Sequence, residues 1–312
     1  MNYKKVVVAG GGVLGSQIAL QSAYKGFDVT IWLRTDASID RARPKLERFR
    51  DIYVSTLEAM KTNSATYARG LADSPDISAE EIDTLKQQAI QAYESLTLTT
   101  SYEEAFKDAD LVIEAIAEDP EQKIAFYTEA AKHLPEHTVV CTNSSTMLPS
   151  AFADYTGRPE KYLALHFANE IWRNNTAEIM GHARTEQRYY DQVVEFAKAI
   201  SMVPLCLKKE QPGYILNSML VPLLNSAEML AATGVADIET IDKTWRLGTG
   251  APVGPFQILD IVGLTTAYNV NALNPDAKNP DTVAGKIQAM LKTYIDEGKL
   301  GVNAGEGFYK YK

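Results

Sequence analysis

The stretch KVVVAGGGVLGSQIALQSAYKG, Lys5–Gly26, decides the fold class. A β-branched run comes first, three consecutive glycines follow it directly, and a helix-patterned segment closes on its final glycine. A strand, a glycine turn and a helix in this order are typical of the first unit of a parallel α/β domain. The stretch therefore predicts an N-terminal domain built from alternating strands and helices.

The glycines of this turn have the spacing of a dinucleotide-binding fingerprint, Gly10-x-Gly12-x-x-Gly15. Gly10 would make the tight turn, Gly12 would let the backbone approach a pyrophosphate, and Gly15 would let the helix pack on the sheet. Free N–H groups at the helix start, those of Val13 and Leu14, would hold the anion. A flexible glycine turn is the alternative, but the position between a strand and a helix favours dinucleotide binding.

The end of the second strand pattern, DVTIWL at 28–33, lacks the acid that usually binds the ribose 2′-hydroxyl. Leu33 and Arg34 occupy this place, and the first acid after them is Asp36. An apolar residue followed by a cation removes the repulsion of a 2′-phosphate and adds an attraction, which favours NADP over NAD. Stacking of Arg34 on the adenine is the other interpretation, and it suits either cofactor.

Two later strand patterns, DLVIEA at 110–115 and HTVVCT at 137–142, flank a helix pattern. This alternation predicts an α/β fold: a Rossmann-type, doubly wound, mainly parallel sheet with helices on both faces. Ligands of such folds lie beyond the carboxyl ends of the strands. The polar residues just past those ends are therefore candidate site residues, and they are Glu118, Asn143, Ser144, Ser145 and His166.

His166 ends the apolar run YLAL, and a lone acid, Glu178, follows twelve residues later. If the chain returns across the sheet, this carboxylate can reach the far ring nitrogen of the histidine. It would then fix the tautomer and stabilise the imidazolium, as a proton acceptor at neutral pH requires. The residues alone leave a second interpretation open, a buried histidine bound to a backbone carbonyl.

A helical pair is predicted between the strands, from Ala37 to Ser95, with a break near 72–78 and a capping box from Ser78 to Glu81. Its first helix carries a basic cluster, Arg41, Arg43, Lys45, Arg48 and Arg50. Positions 41, 45 and 48 share one helical face. The cluster is either a solvated charged face or a site for ligand phosphates.

The charged, turn-prone segment KKEQPG at 208–213 separates this pattern from a segment that is helical throughout. We therefore expect a dinucleotide-binding domain at 1–208 and an all-helical domain at 209–312.

The composition argues against several classes of protein. A net charge of −9 disfavours a nucleic-acid partner, because phosphate neutralisation needs a basic surface. No apolar segment of membrane-spanning length occurs, and we expect a cytoplasmic protein without a membrane partner. The only two cysteines, Cys141 and Cys206, lie in apolar runs and are interpreted as buried free thiols, with no metal site.

Seven segments of the chain carry a family resemblance. They are VAGGGVLGSQIA, LVIEAIAEDPEQK, TNSSTMLPS, the HF-x-N at His166, PGYILNSMLVPLLNSAEML, RLGTGAPVGPFQILDIVGL and GKLGVNAGEGFYKYK. No generic dinucleotide-binding pattern contains the last three. In these segments and in their order, from residue 4 to 312, the sequence resembles the L-3-hydroxyacyl-CoA dehydrogenases, including the short-chain 3-hydroxybutyryl-CoA dehydrogenases.

The resemblance implies an oxidoreductase of fatty-acid metabolism that acts on acyl-CoA with a nicotinamide cofactor, NAD or NADP. In this comparison His166 looks like the catalytic base, Glu178 like its orienting carboxylate, and Ser145 and Asn217 like the residues that position substrate oxygens. Glu118 and Lys123 match positions near the nicotinamide. The resemblance also implies that the helical domain binds substrate and forms a homodimer.

One departure from the family leaves the acyl group open. The family's HFFNP motif has proline after asparagine, but here Asn169 is followed by Glu170, Ile171 and Trp172. In the family this loop borders the acyl pocket, so that Trp172, with Glu170 and Arg173, would suit a short or polar substrate. Dehydrogenation of a CoA-free hydroxy acid of the gulonate or carnitine type is therefore one alternative function, and a catalytically idle dinucleotide-binding protein is another.

Overall fold

The computed structural model describes residues 3–311. The chain forms two compact units. The first extends to Ile215 and the second begins at Leu216.

The first unit is built on an eight-stranded sheet in the order β3-β2-β1-β4-β5-β6-β7-β8. Neighbouring strands are parallel except β6 and β7, which are antiparallel. The strands are β1 (Lys5–Ala9), β2 (Asp28–Trp32), β3 (Thr97–Thr99), β4 (Leu111–Glu114), β5 (Val139–Thr142), β6 (Tyr162–Phe167), β7 (Thr176–Met180) and β8 (Val203–Cys206). The predicted doubly wound, mainly parallel sheet is confirmed.

The helices of the first unit cover both faces of this sheet, so its central strands are buried on both sides. They are α1 (Val13–Tyr24), α2 (Asp36–Met60), α3 (Ala79–Ser95), α4 (Tyr102–Phe106), α5 (Pro120–Ala130) and α6 (Gln187–Ala199). Val6 and Val8 belong to one apolar cluster, while the alternate residues Val7 and Ala9 belong to another. This division follows from the two-residue period of a strand, which sends successive side chains to opposite faces.

The strand order reverses beside β1, which pairs with β2 on one side and with β4 on the other. Chain connections leave such a switch point in opposite directions, and a crevice opens at the carboxyl ends of the strands. The fold thus places the glycine turn after β1 at the mouth of this crevice.

Helices α2 and α3 form the predicted inserted pair, and Ser78 and Glu81 make the predicted capping box at the start of α3. The prediction for Cys141 is confirmed, since it is buried in β5. The prediction that Cys206 is buried is wrong: its strand, β8, is the last of the sheet, and Cys206 is exposed there.

The second unit contains helices and short turns, as expected for an all-helical domain. Its helices are α7 (Leu216–Ala232), α8 (Ile238–Thr249), α9 (Pro255–Val262), α10 (Leu264–Asn271) and α11 (Val283–Asp296). Between residues 3 and 311, no helix combines the length and apolarity needed to span a membrane.

Candidate active site

The three fingerprint glycines have three distinct structural reasons to be glycine. Gly10 has a φ of +119°, and a Cβ there would collide with the carbonyl of Ala115. A Cβ on Gly15 would collide with the carbonyl of Gly10, so a larger residue would push α1 off the turn. Gly12 caps the start of α1, and its Cβ position is open space with no atom within 4 Å. Open space before a helix N-terminus is what the approach of a pyrophosphate requires.

Two cavities meet at this glycine turn. The first, of about 590 Å³, extends from the turn past Leu33 and Arg34 to the start of α5. We call it the adenosine-end cavity because it follows the end of β2, where a Rossmann fold holds the ribose of adenosine. The second, of about 280 Å³, lies beyond β4 and β5, and we call it the nicotinamide-end cavity. It is lined by seven predicted cofactor residues, Gly12, Val13, Leu14, Gly15, Glu118, Lys123 and Asn143.

Glu118 organises the wall of the nicotinamide-end cavity. Its Oε1 accepts hydrogen bonds from the side chains of Ser144 and Thr146 and from the backbone N–H of Ser145 and Thr146. Lys123 Nζ lies 3.3 Å from the other oxygen. Burial pushes the pKa of the Glu118 carboxyl up, but these hydrogen bonds and the lysine charge outweigh it and hold that pKa below its usual range. The carboxylate is thus ionised and fixes the serine turn in place.

Behind Glu118, a buried ion pair joins β4 to α5. Lys123 Nζ donates to Glu114 Oε1 at 2.6 Å, and the two side chains are 1% and 0% exposed. The remaining donors to this carboxylate are the hydroxyls of Tyr127 and Thr142 and the backbone N–H of Ile116. A buried charge needs such saturation with donors. Sequence reasoning missed Glu114, although an acid inside the apolar run LVIEA signals a buried partner.

His166 and Glu178 face each other across the antiparallel pair β6 and β7, where they are direct register partners. His166 Nδ1 lies 3.0 Å from Glu178 Oε2, and both residues are buried. The second oxygen of Glu178 accepts the backbone N–H of Ile215 at 2.8 Å. The expected return of the chain across the sheet is therefore confirmed. The carboxylate assigns the N–H to Nδ1, and Nε2 is then the nitrogen that accepts a proton.

Ser145 connects this pair to the nicotinamide-end cavity. Its hydroxyl lies 3.1 Å from His166 Nε2, and the residue itself lines the cavity. The basic nitrogen therefore points to the cavity side. Asn143 stands beside it, and its side-chain oxygen accepts the backbone N–H of Phe167 at 3.1 Å. Asn217, the fourth predicted catalytic residue, lies in α7 of the second unit, and its role stays a prediction.

Tyr214 is a site residue that sequence reasoning missed. Its ring stacks on the imidazole of His166, with centroids 4.4 Å apart and planes 13° from parallel. Its hydroxyl donates to the backbone carbonyl of Ser144 at 2.7 Å. Tyr214 thereby fixes the plane of the imidazole and the serine turn together. The available signal was its place in PGYILNSMLVPLLNSAEML, a segment matched to the family without a role for its tyrosine.

Comparison with known proteins identifies the family to which these motifs belong. Residues 5–211 match the family model "3-hydroxyacyl-CoA dehydrogenase, NAD binding domain", and residues 213–311 match the corresponding C-terminal domain. The chain belongs to the 3-hydroxyacyl-CoA dehydrogenase family. The resemblance inferred from its motifs is thereby confirmed, and the N-terminal domain is of a type that binds a nicotinamide cofactor.

Relatives of this 3-hydroxyacyl-CoA dehydrogenase family member cover nearly its whole length. Human mitochondrial hydroxyacyl-coenzyme A dehydrogenase is 30% identical over 311 residues, 99% of this chain and 91% of its own. The 3-hydroxybutyryl-CoA dehydrogenase of Clostridioides difficile is 29% identical over 308 residues, 98% of this chain and 99% of its own. A solved diketoreductase structure, described by its substrate-directed dual catalysis of dicarbonyl compounds, is 46% identical with a TM-score of 0.85, and each chain is covered fully.

The loop after His166 departs from the pattern of the 3-hydroxyacyl-CoA dehydrogenase family at residues 170–172. The position of Trp172 in this loop differs from what we expected. Trp172 is 3% exposed and packs on Phe49 and Tyr53 of α2. Its backbone carbonyl accepts the N–H of Gly70. The expectation that Trp172 shapes a substrate pocket is wrong, because its side chain fills the core between the loop and the inserted helices.

Proposed function

We propose that the protein interconverts a short-chain L-3-hydroxyacyl-CoA, such as 3-hydroxybutyryl-CoA, and the corresponding 3-oxoacyl-CoA with a nicotinamide cofactor. One observation carries the proposal: His166, held by Glu178 through Nδ1, directs Nε2 towards Ser145 on the wall of the nicotinamide-end cavity. A base, its orienting carboxylate and a hydroxyl thus lie together beside the cavity that follows the dinucleotide fingerprint.

In the oxidation direction, His166 Nε2 takes the proton of the substrate's 3-hydroxyl. Glu178 stabilises the imidazolium that forms, because its carboxylate lies 3.0 Å from Nδ1. The Ser145 hydroxyl lies 3.1 Å from Nε2. It donates a hydrogen bond to the same substrate oxygen while that oxygen becomes the oxygen of a carbonyl group. In the reduction direction, the imidazolium returns the proton. When bound, the nicotinamide cofactor supplies the hydride chemistry at the substrate carbon.

Several residues of the first unit fit the cofactor. The glycine turn and the N–H groups of Val13 and Leu14 would hold the pyrophosphate. Glu118, Lys123 and Asn143 would bind the nicotinamide ribose and carboxamide. Leu33 and Arg34 at the end of β2 favour NADP over NAD, since neither repels a 2′-phosphate.

A second candidate function is the reduction of a CoA-free dicarbonyl compound. The diketoreductase supports it, because that protein is 46% identical over the whole chain. The two functions share their chemistry, since a 3-oxoacyl-CoA also carries two carbonyl groups, a ketone and a thioester. An idle dinucleotide-binding protein is disfavoured, because it would not need the geometry of His166, Glu178 and Ser145.

A homodimer and a cytoplasmic location remain predictions. Light scattering of the purified chain tests the first: a mass near twice 34.4 kDa supports a dimer, and a mass near 34.4 kDa contradicts it.

The experiment that tests the proposed function is a substrate panel followed by the absorbance of the reduced nicotinamide. Acetoacetyl-CoA, acetoacetate and a CoA-free acetoacetate ester are each supplied with NADH and with NADPH. Turnover of acetoacetyl-CoA at a kcat/KM at least about tenfold above the other two supports the acyl-CoA function. The reverse order moves the assignment to the CoA-free dicarbonyl function, and no turnover from protein that still binds dinucleotide contradicts both.

A further inference from the structure

Three cations line the adenosine-end cavity: Arg34 at the end of β2, and Arg41 and Lys45 one turn apart on α2. The two α2 residues lie four positions apart, so their side chains emerge on the same helical face. Among the described residues that line this cavity, none is acidic. Asp36, the acid nearest to Arg34 in sequence, is not part of the lining.

All three cations have neutral hydrogen-bond acceptors. Arg34 Nη1 donates to the amide oxygen of Gln122 at 2.8 Å, and Arg41 Nη2 donates to the hydroxyl of Ser38 at 2.8 Å. Lys45 Nζ lies 3.1 Å from the carbonyl of Arg41 and 3.3 Å from that of Gly11. These contacts orient the cationic groups without neutralising their charge.

Arg50, further along the same helix, shows the contrast. Its guanidinium binds the carboxylates of Glu47 and Asp51 at 3.3 and 2.7 Å. The basic cluster of α2 therefore divides in two. At its distal end Arg50 forms ion pairs typical of a solvated face, whereas Arg41 and Lys45 at its proximal end present uncompensated positive charge to a cavity.

The position of this charge relative to the fold identifies its ligand. In a Rossmann fold the residue at the end of the second strand faces the 2′ position of the adenosine ribose. Here that residue is Leu33, which is buried and lines the cavity beside Arg34. A 2′-hydroxyl would find no carboxylate acceptor at this place, whereas a 2′-phosphate would find three cations and the Ser38 hydroxyl.

We propose that Arg34, Ser38, Arg41 and Lys45 form a binding site for the 2′-phosphate of NADP, so that the protein prefers NADP(H) to NAD(H). The inference rests on the proposed function only in that this cavity holds the adenosine half of a dinucleotide. It assigns the proximal part of the basic cluster to the cofactor instead of to the phosphates of an acyl-CoA.

The test measures binding by calorimetry and needs no turnover. Three probes are compared on the full-length protein: 2′,5′-ADP, 3′,5′-ADP and 5′-AMP, which lacks the second ribose phosphate. The first carries the ribose phosphate of NADP, and the second carries the ribose phosphate of CoA. The two bisphosphates have the same charge and differ only in its position, so that a preference between them reports geometry and not general attraction of anions.

We expect 2′,5′-ADP to bind about tenfold to a hundredfold more tightly than either other probe, as expected for a charge-assisted phosphate contact. Arg41→Ala and Lys45→Ala should each weaken binding of 2′,5′-ADP about tenfold and leave the affinity for 5′-AMP within about twofold. The matched control is Arg43→Ala, because Arg43 is an exposed cation of the same helix that does not line the cavity. It should leave all three affinities unchanged.

Equal affinity for 2′,5′-ADP and 5′-AMP would overturn the proposal, and Arg34 would then be a residue that stacks on adenine. Tighter binding of 3′,5′-ADP than of 2′,5′-ADP would also overturn it. The basic cluster would then be assigned to the phosphates of an acyl-CoA. Either result, combined with turnover of acetoacetyl-CoA by NADH, leaves the proposed function intact. A clear preference for 2′,5′-ADP without turnover of any dicarbonyl substrate supports the phosphate site and removes the proposed function.

Discussion

Buried carboxylates occur in both compact units, and their partners differ. In the first unit, Glu178 faces an imidazole and Glu114 faces an ammonium group. In the second unit, Asp260 accepts two backbone N–H groups and a tyrosine hydroxyl. Oε1 of Glu228, also in the second unit, has no hydrogen-bond partner among the residues described. This comparison indicates that the role of a buried carboxylate, in catalysis or in stability, depends more on the group that it contacts than on its burial. The isosteric amide should therefore give a different result at each position.

Glu114→Gln should produce the largest change. The substitution leaves Lys123 buried beside a neutral amide, with Glu118 as its remaining carboxylate at 3.3 Å. Breaking a buried ion pair from one side typically costs about 3 to 5 kcal/mol. Urea unfolding of the full chain measures this loss in the free energy of unfolding. The control is Glu121→Gln, an exposed acid of α5, the helix that carries Lys123, and a loss below about 1 kcal/mol at Glu114 would contradict the assigned role.

Asp260→Asn should destabilise the second unit. The carboxylate, 1% exposed, clamps the C-terminal segment through the N–H groups of Phe308 and Tyr309 and the hydroxyl of Tyr311. An amide directs its NH₂ group at one set of these donors, so we expect a loss of about 3 kcal/mol. Asp281→Asn, an exposed acid before α11, serves as the matched control in the same unfolding measurement. Equal stabilities of the two variants would refute the clamp.

Glu178→Gln should affect catalysis more than stability. The amide can still accept the N–H of Ile215 through its oxygen, but it cannot stabilise an imidazolium as a carboxylate does. We expect kcat to fall about 10²-fold, or about 2.7 kcal/mol in transition-state energy, while the melting temperature changes little. Wild-type turnover in this variant would rule out the orienting role, and so would a collapse of stability without a specific loss of kcat.

Glu228→Gln should change the pH dependence of stability. Burial raises the pKa of the Glu228 carboxyl from 4.5 to about 7. The folded state therefore holds the proton more tightly than the unfolded state. The corresponding stability is complete below the unfolded pKa and is lost as the pH rises through the folded pKa. Between pH 5 and pH 8 the wild type should lose about 2 kcal/mol more than the variant. If the difference in the free energy of unfolding between the wild type and Glu228→Gln is the same at pH 5 and at pH 8, this account is contradicted.

The central part of the fold could be predicted from the sequence because it is determined locally. The strand, glycine turn and helix at 5–24 and the capping box at Ser78 each depend on residues within a few positions of one another. The edge strands β3 and β8 were missed. They are three and four residues long: β3 has two polar residues of three, and Pro204 interrupts the apolar run that contains β8. The exposure of Cys206 follows from the same edge position.

The sequence predicted only those site residues that lie at or near the ends of strands it could identify. His166 and Glu178 emerged because one lies at a strand end and the other at a distance that fits a return strand. Tyr214, Trp172 and the neutral partners of Lys45 depend on contacts between residues that lie far apart in the sequence. No local pattern distinguishes a tryptophan that lines a pocket from one that fills a core.

The measurement that tests the central claim most directly is made on His166→Gln, which keeps a polar side chain of similar size. Turnover of acetoacetyl-CoA and the Kd of the dinucleotide are determined on the same preparation. If His166 is the proton acceptor, kcat falls by about 10² to 10⁴ while the Kd stays within about twofold of the wild type. Wild-type turnover, or an equal loss of turnover and of dinucleotide affinity, would contradict the account.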